Sequence, residues 1–552
     1  MTTRSFCSLL TVIGALVALS DAPRGATVKF YGDDPLQREP ETQDASKAQE
    51  WEIDLFWDLA LNMFSKPGDP APDVKARNVN TIDEVPDSNW FTNRIGAVPV
   101  SIEQAVQGPL AGNGPVPGRW LISRAKEAGV APGFTIRDGK GDVWFISFDA
   151  KGFPEAATGA ILVANKIFWT LGYWQVENHL VTVKAEDLAI GESAEVTPPS
   201  GKRRAMKNSD VEEVLRRAHR SPDGTYRAVA ARAVPGKPLG GFRYHDTRPD
   251  DPNDIVPHEH RRELRALKVF GAWTNLVDMK AGNTLDALVS DNGKTVVRHY
   301  LQDVGSTFGT GALGPHDWDE GWEYLYEGDL VWKRLVTLGF YLQPWQTAKY
   351  EKNKSIGRFE GVSFEPEEWK PRVPTAAFLR ARADDNFWAA RRVIAFSDEM
   401  IRAIAATGRY SDESASRLLA DVLIQRRNRI AERYLTAINP VVNVALDNSG
   451  TLTFDNVAVQ AAVAQEPTAG YVVHWASFDN TTGTSTVLGT PTATTNRQAK
   501  ASVALPSAPG SFVKVQIAAA SKEHAAWAIP VDAYFRRGVT GWTLVGLERT
   551  NR

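Results

Sequence analysis

Along the chain the hydrophobic pattern changes period several times, and each change marks an element. The first run, Phe6 to Leu19, is almost wholly apolar, follows Arg4 and ends in small residues at Ser20 and Ala22. That is a signal-peptide pattern, too short for an ordinary membrane-spanning helix. It predicts removal of residues 1–26 and an exported protein, periplasmic, envelope-bound or secreted. No later stretch approaches 18 apolar residues, so no other transmembrane segment is predicted. Residues 51–65, WEIDLFWDLALNMFS, form an amphipathic piece, and a Pro-rich linker comes next at 67–73. Residues 78–96 are dense in Asn, Asp and Pro, yet Trp90, Phe91 and Ile95 need a core, which predicts an ordered loop. The whole of 27–118 is expected to be an N-terminal extension packing on the domain that begins at Arg119.

From Arg119 the period shortens to that of strands. RDGKGD at 137–142 is a hairpin signal, because Gly139 and Gly141 can adopt positive φ. Pro154 and Glu155 open a helix whose apolar positions Ile161, Leu162, Ile167, Phe168 and Leu171 have helical spacing, and Gly172 is placed to end it. HLVTVKA (179–185) alternates as a strand, a polar insert carries a helix from Ser209 to Ala218, and residues 226–242 run from a strand into a Gly/Pro connector. Pro257 starts a helix with Leu264, Leu267, Phe270 and Trp273 three apart, and TVVRHYLQDVG (295–305) is a strand ending at an Asp. Residues 321–436 are mostly helical in pattern. The longest helix, 412–435, sets Leu418, Leu419, Val422, Leu423 and Ile430 on one side. After Pro440 the composition shifts to Val, Thr, Ala, Gly and Asn with recurring turns, which predicts an all-β, sandwich-like domain over 441–552. The fold class is therefore α+β: a mixed lobe at 119–240, a helical lobe at 241–440, then the β-domain.

Composition narrows the chemistry. At 552 residues the chain needs two or three domains, and 43% hydrophobic with 23% charged residues is ordinary for a globular protein. A net charge of −3 with no block of like charge speaks against a nucleic-acid partner. The one cysteine, Cys7, lies in the leader, so the mature chain excludes disulfides, thiolate metal sites and a cysteine nucleophile. No G-x-S-x-G elbow, H-E-x-x-H or complete P-loop is present, and a hydrolase has no motif in its favour.

One cluster carries a chemistry. NLVDMKAGN (275–283) precedes QDVGS (302–306). Phosphoryl transfer needs an Asp at the acceptor hydroxyl, oxygen ligands for Mg²⁺, and cations with backbone N–H groups on the phosphates. Asp278 suits the first role and Lys280 can approach the transferred group. Asn283 and Asp303 offer the oxygen ligands, with Gly305 beside them.

On these residues, 119–435 resembles the protein-kinase-like superfamily. The nearer likeness is to its atypical branches, such as spore-coat and secretory-pathway kinases and toxin-type serine kinases. DMKAGN is similar to the kinase catalytic loop DLKPEN at Asp278, Lys280 and Asn283; DVG resembles DFG; and VPGKPLG (234–240) resembles the hinge after the fifth strand. The resemblance implies a two-lobed fold that holds Mg²⁺ and ATP between the lobes. The departures are as informative. Ser147 in VWFISFD occupies the position of the phosphate-anchoring Lys, and Ile161 the position of its Glu partner, with Glu155 the nearest other carboxylate. Losing both is coherent, since a buried Glu without its Lys costs several kcal/mol whereas Ile packs. Lys126, in AKEAGVAPG where a glycine-rich phosphate loop is expected, offers a substitute cation, with Gly129 and Gly133 permitting close backbone approach; the plainer reading is a solvent-facing Lys. His258 and His260 offer metal ligands or, more plainly, surface and capping groups. The HDWDEGWEY run from His316 to Tyr324 reads as a cation or sugar site or, more plainly, an acidic surface loop. The expectation is an exported kinase-like protein, a pseudokinase or weak atypical phosphotransferase, acting on an acceptor protein, glycan or small molecule. The alternative is a non-enzymatic envelope or extracellular protein binding protein or glycan, for which 17 Trp would suit sugar stacking.

Overall fold

The structure, a computed structural model, describes residues 28–126, 131–198 and 201–549; the leader with Cys7, and Gly129, lie outside them. It is a mixed α+β protein. An N-terminal segment carries two helices, α1 (Leu55–Phe64) and α2 (Ile102–Gln107). A seven-stranded sheet comes next, built from β1 (Trp120–Ala125), β2 (Gly133–Arg137), β3 (Val143–Phe148), β4 (Asn178–Val183), β5 (Leu188–Val196), β6 (Arg204–Ala205) and β7 (Tyr226–Arg232) in the order β4-β7-β3-β2-β1-β5-β6. Only the β1–β5 pairing is parallel.

The β2–β3 turn forms where the Asp-Gly signal places it. Asp138 Oδ1 accepts from the backbone N–H groups of Lys140 and Asp142, at 2.9 and 3.0 Å, and Gly141 sits at φ +86°. The period-2 pattern then sorts the faces. Ile122, Phe134, Ile136, Trp144, Ile146 and Phe148 are buried on one face, against Leu215 of α4 (Asn208–Arg217). The other face carries Ser147 and the half-exposed Leu121 and Phe145. Between β3 and β4 runs α3 (Ala156–Leu171), buried along most of its length and closed by Gly172 at φ +128°.

A small antiparallel sheet, β8 (Lys237–Pro238), β9 (Leu285–Asp291) and β10 (Lys294–Tyr300), leads into the helical part. The helix predicted from Pro257 to Asp278 is broken into a 3-10 turn at His258–His260, α5 (Arg262–Arg265) and α6 (Leu267–Thr274). Beyond lie α7 (Gly328–Val336), α8 (Pro344–Thr347), α9 (Ala376–Leu379), α10 (Ala383–Ile394), α11 (Asp398–Ala406) and α12 (Glu413–Tyr434). Residues 441–549 form two further antiparallel sheets of three and six strands. The composition changes at Pro440, but the apolar core does not stop there. One buried cluster runs from Phe91 and Phe168 through Trp273 and Leu423 to Phe454 and Trp527. The N-terminal segment reaches across as well: Phe30 packs among Phe478, Phe512 and Tyr534. Among the described residues no helix is long and apolar enough to cross a membrane.

Candidate functional site

The loop after α6 is held from several sides. Asn275 caps the helix at φ +56°, and its Oδ1 accepts from Trp369 Nε1 at 2.8 Å. The Val277 N–H donates to the Ser306 carbonyl (3.3 Å), and the Val277 carbonyl accepts from the Arg372 N–H (2.9 Å). This anchoring presents Asp278. Lys280 Nζ donates to Asp278 Oδ2 at 2.9 Å, and Asn283 Nδ2 donates to the Asp278 carbonyl at 2.7 Å. With its nitrogen so engaged, the Asn283 amide keeps its oxygen for another partner.

The β9–β10 hairpin explains how residues twenty apart meet. β9 starts just after Asn283 and β10 returns antiparallel, pairing Leu285 with Tyr300. The Asp303 N–H therefore reaches the Asn283 carbonyl at 3.0 Å. Asp303 is exposed, and one of its carboxylate oxygens accepts from the Gly305 N–H at 3.0 Å. A Cβ on Gly305 would stand 2.7 Å from Ile161 Cγ1 and 3.2 Å from Asp303 Oδ1. So α3 turns Ile161 directly onto the Asp303–Gly305 turn, with no carboxylate in that place.

Ser147 meets a cation instead. Lys126, at the end of β1, donates from Nζ to Ser147 Oγ at 3.2 Å. Lys126 is exposed, but it lies along the sheet over the Ser hydroxyl rather than free in solvent. Gly133 permits the approach: paired with Ser147, it would place a Cβ 2.2 Å from the Ile146 carbonyl oxygen and 3.4 Å from Lys126 Cδ. Ser147 and Ile161 thus take different partners, Lys126 and Gly305. Glu155, the other carboxylate considered, is spent elsewhere, accepting from the Ser411 N–H and hydroxyl.

A cleft of about 640 Å³ opens beside Asp278 and Lys280. Its polar lining includes Ser306, His316 and Arg372. Ser306 Oγ lies 2.9 Å from His316 Nε2, and Glu320 Oε2 lies 3.7 Å from His316 Nδ1. Arg372 pairs with Glu320 in turn. Burial, with the Arg372 guanidinium nearby, pulls the His316 pKa down to about 3, so the ring is neutral at ordinary pH. Position in the chain could have flagged Ser306, next to the DVG turn; Arg372 arrives from a separate loop. Lys126, Ser147, Asn283 and Asp303 do not line this cleft.

One plainer sequence reading is corrected. His258 and His260 are not surface groups: both are buried. His258 Nε2 lies 2.7 Å from Asp254 Oδ2; burial opposes its charge, yet the Asp254 carboxylate holds its pKa above the usual imidazole value. His260 pairs with Asp69 at 3.0 Å and accepts from Arg265. In the run from His316, Asp317, Trp318 and Asp319 are exposed, as an acidic surface loop requires, while His316 and Glu323 are buried and Glu323 holds Arg334 at 2.7 Å. Among the described residues no three His, Cys, Asp or Glu side chains converge as a metal site. Mg²⁺ is commonly held by one or two carboxylates with substrate phosphates supplying further oxygens. Asp303 and the free Asn283 amide oxygen are a donor set of that kind.

No protein-family model matches the chain, and no curated protein matches it. One solved structure, titled the crystal structure of the golgi casein kinase, aligns over 73% of this chain and 97% of its own at 9% identity, with a TM-score of 0.29. A superposition that loose defines no shared fold and carries no weight for function.

Proposed function

We propose that this is a kinase-like protein that binds a magnesium nucleotide between the seven-stranded sheet and the Asp278 loop, with Lys126 standing in for the missing strand lysine. The observation that supports this reading is the Lys126–Ser147 contact, an ammonium 3.2 Å from the side chain at the position where the resemblance expects the strand lysine. Asp278, pinned through its carbonyl and carboxylate, would orient an acceptor hydroxyl and take its proton as the hydroxyl oxygen bonds to the terminal phosphorus. The bond from that phosphorus to the bridging oxygen breaks, and the nucleoside diphosphate leaves with the electron pair. Lys280 and Lys126 offset the phosphate charge. Asn283 and Asp303 would hold Mg²⁺, whose chemistry here is charge neutralisation on the phosphates.

The experiment is a melting-temperature series with ATP, ADP and GTP, each with Mg²⁺ or Mn²⁺, since a ligand that binds only the folded state raises the transition. Asp303→Asn and Lys126→Met should each abolish the shift without changing the unliganded melting temperature. Indifference of the wild type to every pair would end the nucleotide reading. The non-catalytic alternative is favoured by one observation, the apolar Ile161 against Gly305, which leaves Lys126 without an acidic partner there. In that case nucleotide binds but no phosphate is released or transferred.

A further inference from the structure

Helix α1 is inside out. Its buried residues are polar, Asp58 and Asn62 at 4% and 2% exposure, while Leu59, Leu61 and Met63 are half-buried and Leu55 and Phe56 are exposed, Phe56 at 80%. Trp57 and Phe64 are exposed as well. Asn62 Nδ2 donates to the Asp58 carbonyl at 2.8 Å, and the Asp58 carboxylate lies 3.4 Å from His245 and 3.8 Å from Arg243. The helix is docked by its polar side. Helix α7 repeats the inversion. It buries no residue, and its anchor is Arg334, which donates to both oxygens of the buried Glu323 at 2.7 and 2.8 Å. Trp345 Nε1 clamps the same carboxylate from the far end of the loop. Val331, Trp332, Leu335 and Val336 cluster on one side of the helix, all exposed, and the chain continues outward through Phe340 at 85%.

The two elements meet where the ring of Phe64, at the end of α1, and that of Tyr326, just before α7, lie with centroids 5.3 Å apart. They also adjoin the cleft, whose lining includes Leu59 of α1 and Leu325 just before α7. An exposed apolar surface on this scale marks an interaction site rather than ordinary surface scatter.

We propose that this face is a membrane-docking surface, which lays α1 and α7 on an anionic bilayer and holds the mouth of the cleft near the lipid headgroups. Its shape selects a soft partner. Residues 331–342 are exposed without interruption, so the surface is a projection and offers no groove for a side chain of another protein. Helices of 10 and 9 residues are too short to span and suit lying in the interface. Trp57 and Trp332 are the residue type that settles at headgroup depth. Around α7 the charge agrees with anionic lipid: with Arg334 held by Glu323, Lys333, Lys349, Lys352 and Lys354 in the stretch 328–354 outnumber Asp329 and Glu351, while α1 is flanked by Glu52 and Asp54 on one side and Lys66 on the other. This inference does not depend on what the cleft catalyses.

The test uses the full chain with vesicles of phosphatidylcholine alone and of phosphatidylcholine with 30% phosphatidylglycerol, read by flotation and by the blue shift of Trp fluorescence. Binding should favour the anionic vesicles and weaken in 0.5 M salt. Trp332→Glu with Phe340→Glu should reduce it at least tenfold while leaving the melting temperature unchanged. Phe56→Glu with Trp57→Glu should do the same from the other helix, and carries the test if the first pair fails to fold. Absence of flotation with either vesicle, or binding indifferent to both pairs, overturns the proposal. So does a solution dimer dissolved by these substitutions in a protein that ignores vesicles, which would make the face a contact between copies.

Discussion

At the scale of single residues, the site is decided by which side chain fills a neighbour's place. Gly305 has no room for a methyl group, because Ile161 Cγ1 would stand 2.7 Å from it. Gly305→Ala should therefore destabilise by about 1–3 kcal/mol, the usual cost of overpacking. Ile161→Ala in the same chain should recover much of that loss, and urea unfolding of the two single variants and the pair measures the coupling; strict additivity would separate the two residues. His316 makes a second prediction. Its folded pKa of about 3 lies below the unfolded value near 6.5, because burial and Arg372 disfavour the imidazolium. Below pH 6.5 the unfolded chain takes up a proton that the folded chain refuses, so this group removes stability as pH falls, by about 1.4 kcal/mol per unit until pH 3. Above pH 6.5 it contributes nothing. His316→Gln should flatten the stability profile by about that slope between pH 4 and 6, measured as urea unfolding at several pH values. The sequence singled out Asp278, Asn283 and Asp303 because each sits in a short local motif, and the structure brings the backbones of Asn283 and Asp303 together through the β9–β10 hairpin. The sequence did not reveal the Ser306–His316–Glu320–Arg372 set, because Arg372 comes from a distant loop and carries no local pattern.

At the scale of elements, periodicity served where burial has one side. The hairpin β2–β3 and the long helix α12 lie within a residue or two of their predicted places, each with a single apolar stripe against a core. It served poorly for 257–278, where HEHRRELR is buried although nearly every residue is charged. Those charges answer acids far away in sequence, and a helix pattern read from apolar spacing alone cannot register that. Arg262 shows the arrangement: Nε donates to Asp385 Oδ1 at 2.9 Å, one terminal nitrogen to Asp384 at 3.1 Å, and the other to the Asp83 carbonyl at 2.8 Å. It ties α5 to the start of α10 and to the N-terminal loop. Arg262→Met should cost about 3–5 kcal/mol, because it strands buried carboxylates without their cation. Chemical denaturation checks the size; a change below 1 kcal/mol would mean that water replaces the guanidinium. Helix α7 failed in the opposite sense. Its helical period is real, but the stripe points outward, and only the Arg334–Glu323 anchor reveals which side docks.

At the scale of the whole molecule, the composition break at Pro440 invites a cut into separate folding units, and the packing argues for one. Asn439 is buried and its Nδ2 donates to the carbonyls of Ile517, Trp527 and Ile529, at 3.0, 3.2 and 2.9 Å. Trp527 Nε1 reaches back to the Thr436 carbonyl at 3.1 Å, just beyond α12. Arg549, near the far end of the last strand, joins Asp83 at 3.2 Å and the Val441 carbonyl at 2.6 Å. Leu423, Ile430 and Tyr434 of α12 belong to the same buried cluster as Val441, Phe454 and Trp527. A chain ended at 440 would strip Trp527 from the end of α12 and leave the buried Asn439 amide without its partners. It is therefore expected to aggregate rather than fold, and the intact protein to unfold in one calorimetric transition across residues 28–549. Limited proteolysis should spare the 436–446 junction, whose backbone is bonded on both sides. Two resolved transitions, with the later strands surviving alone, would show that the shared core contributes too little to couple the parts. Asn439→Ala offers a milder version of the same test. It removes a buried amide whose two hydrogens are shared among these carbonyls, at about 1–3 kcal/mol for each carbonyl left short of a donor where water cannot reach. If the core is shared, the whole transition should move down, not only that of the strands.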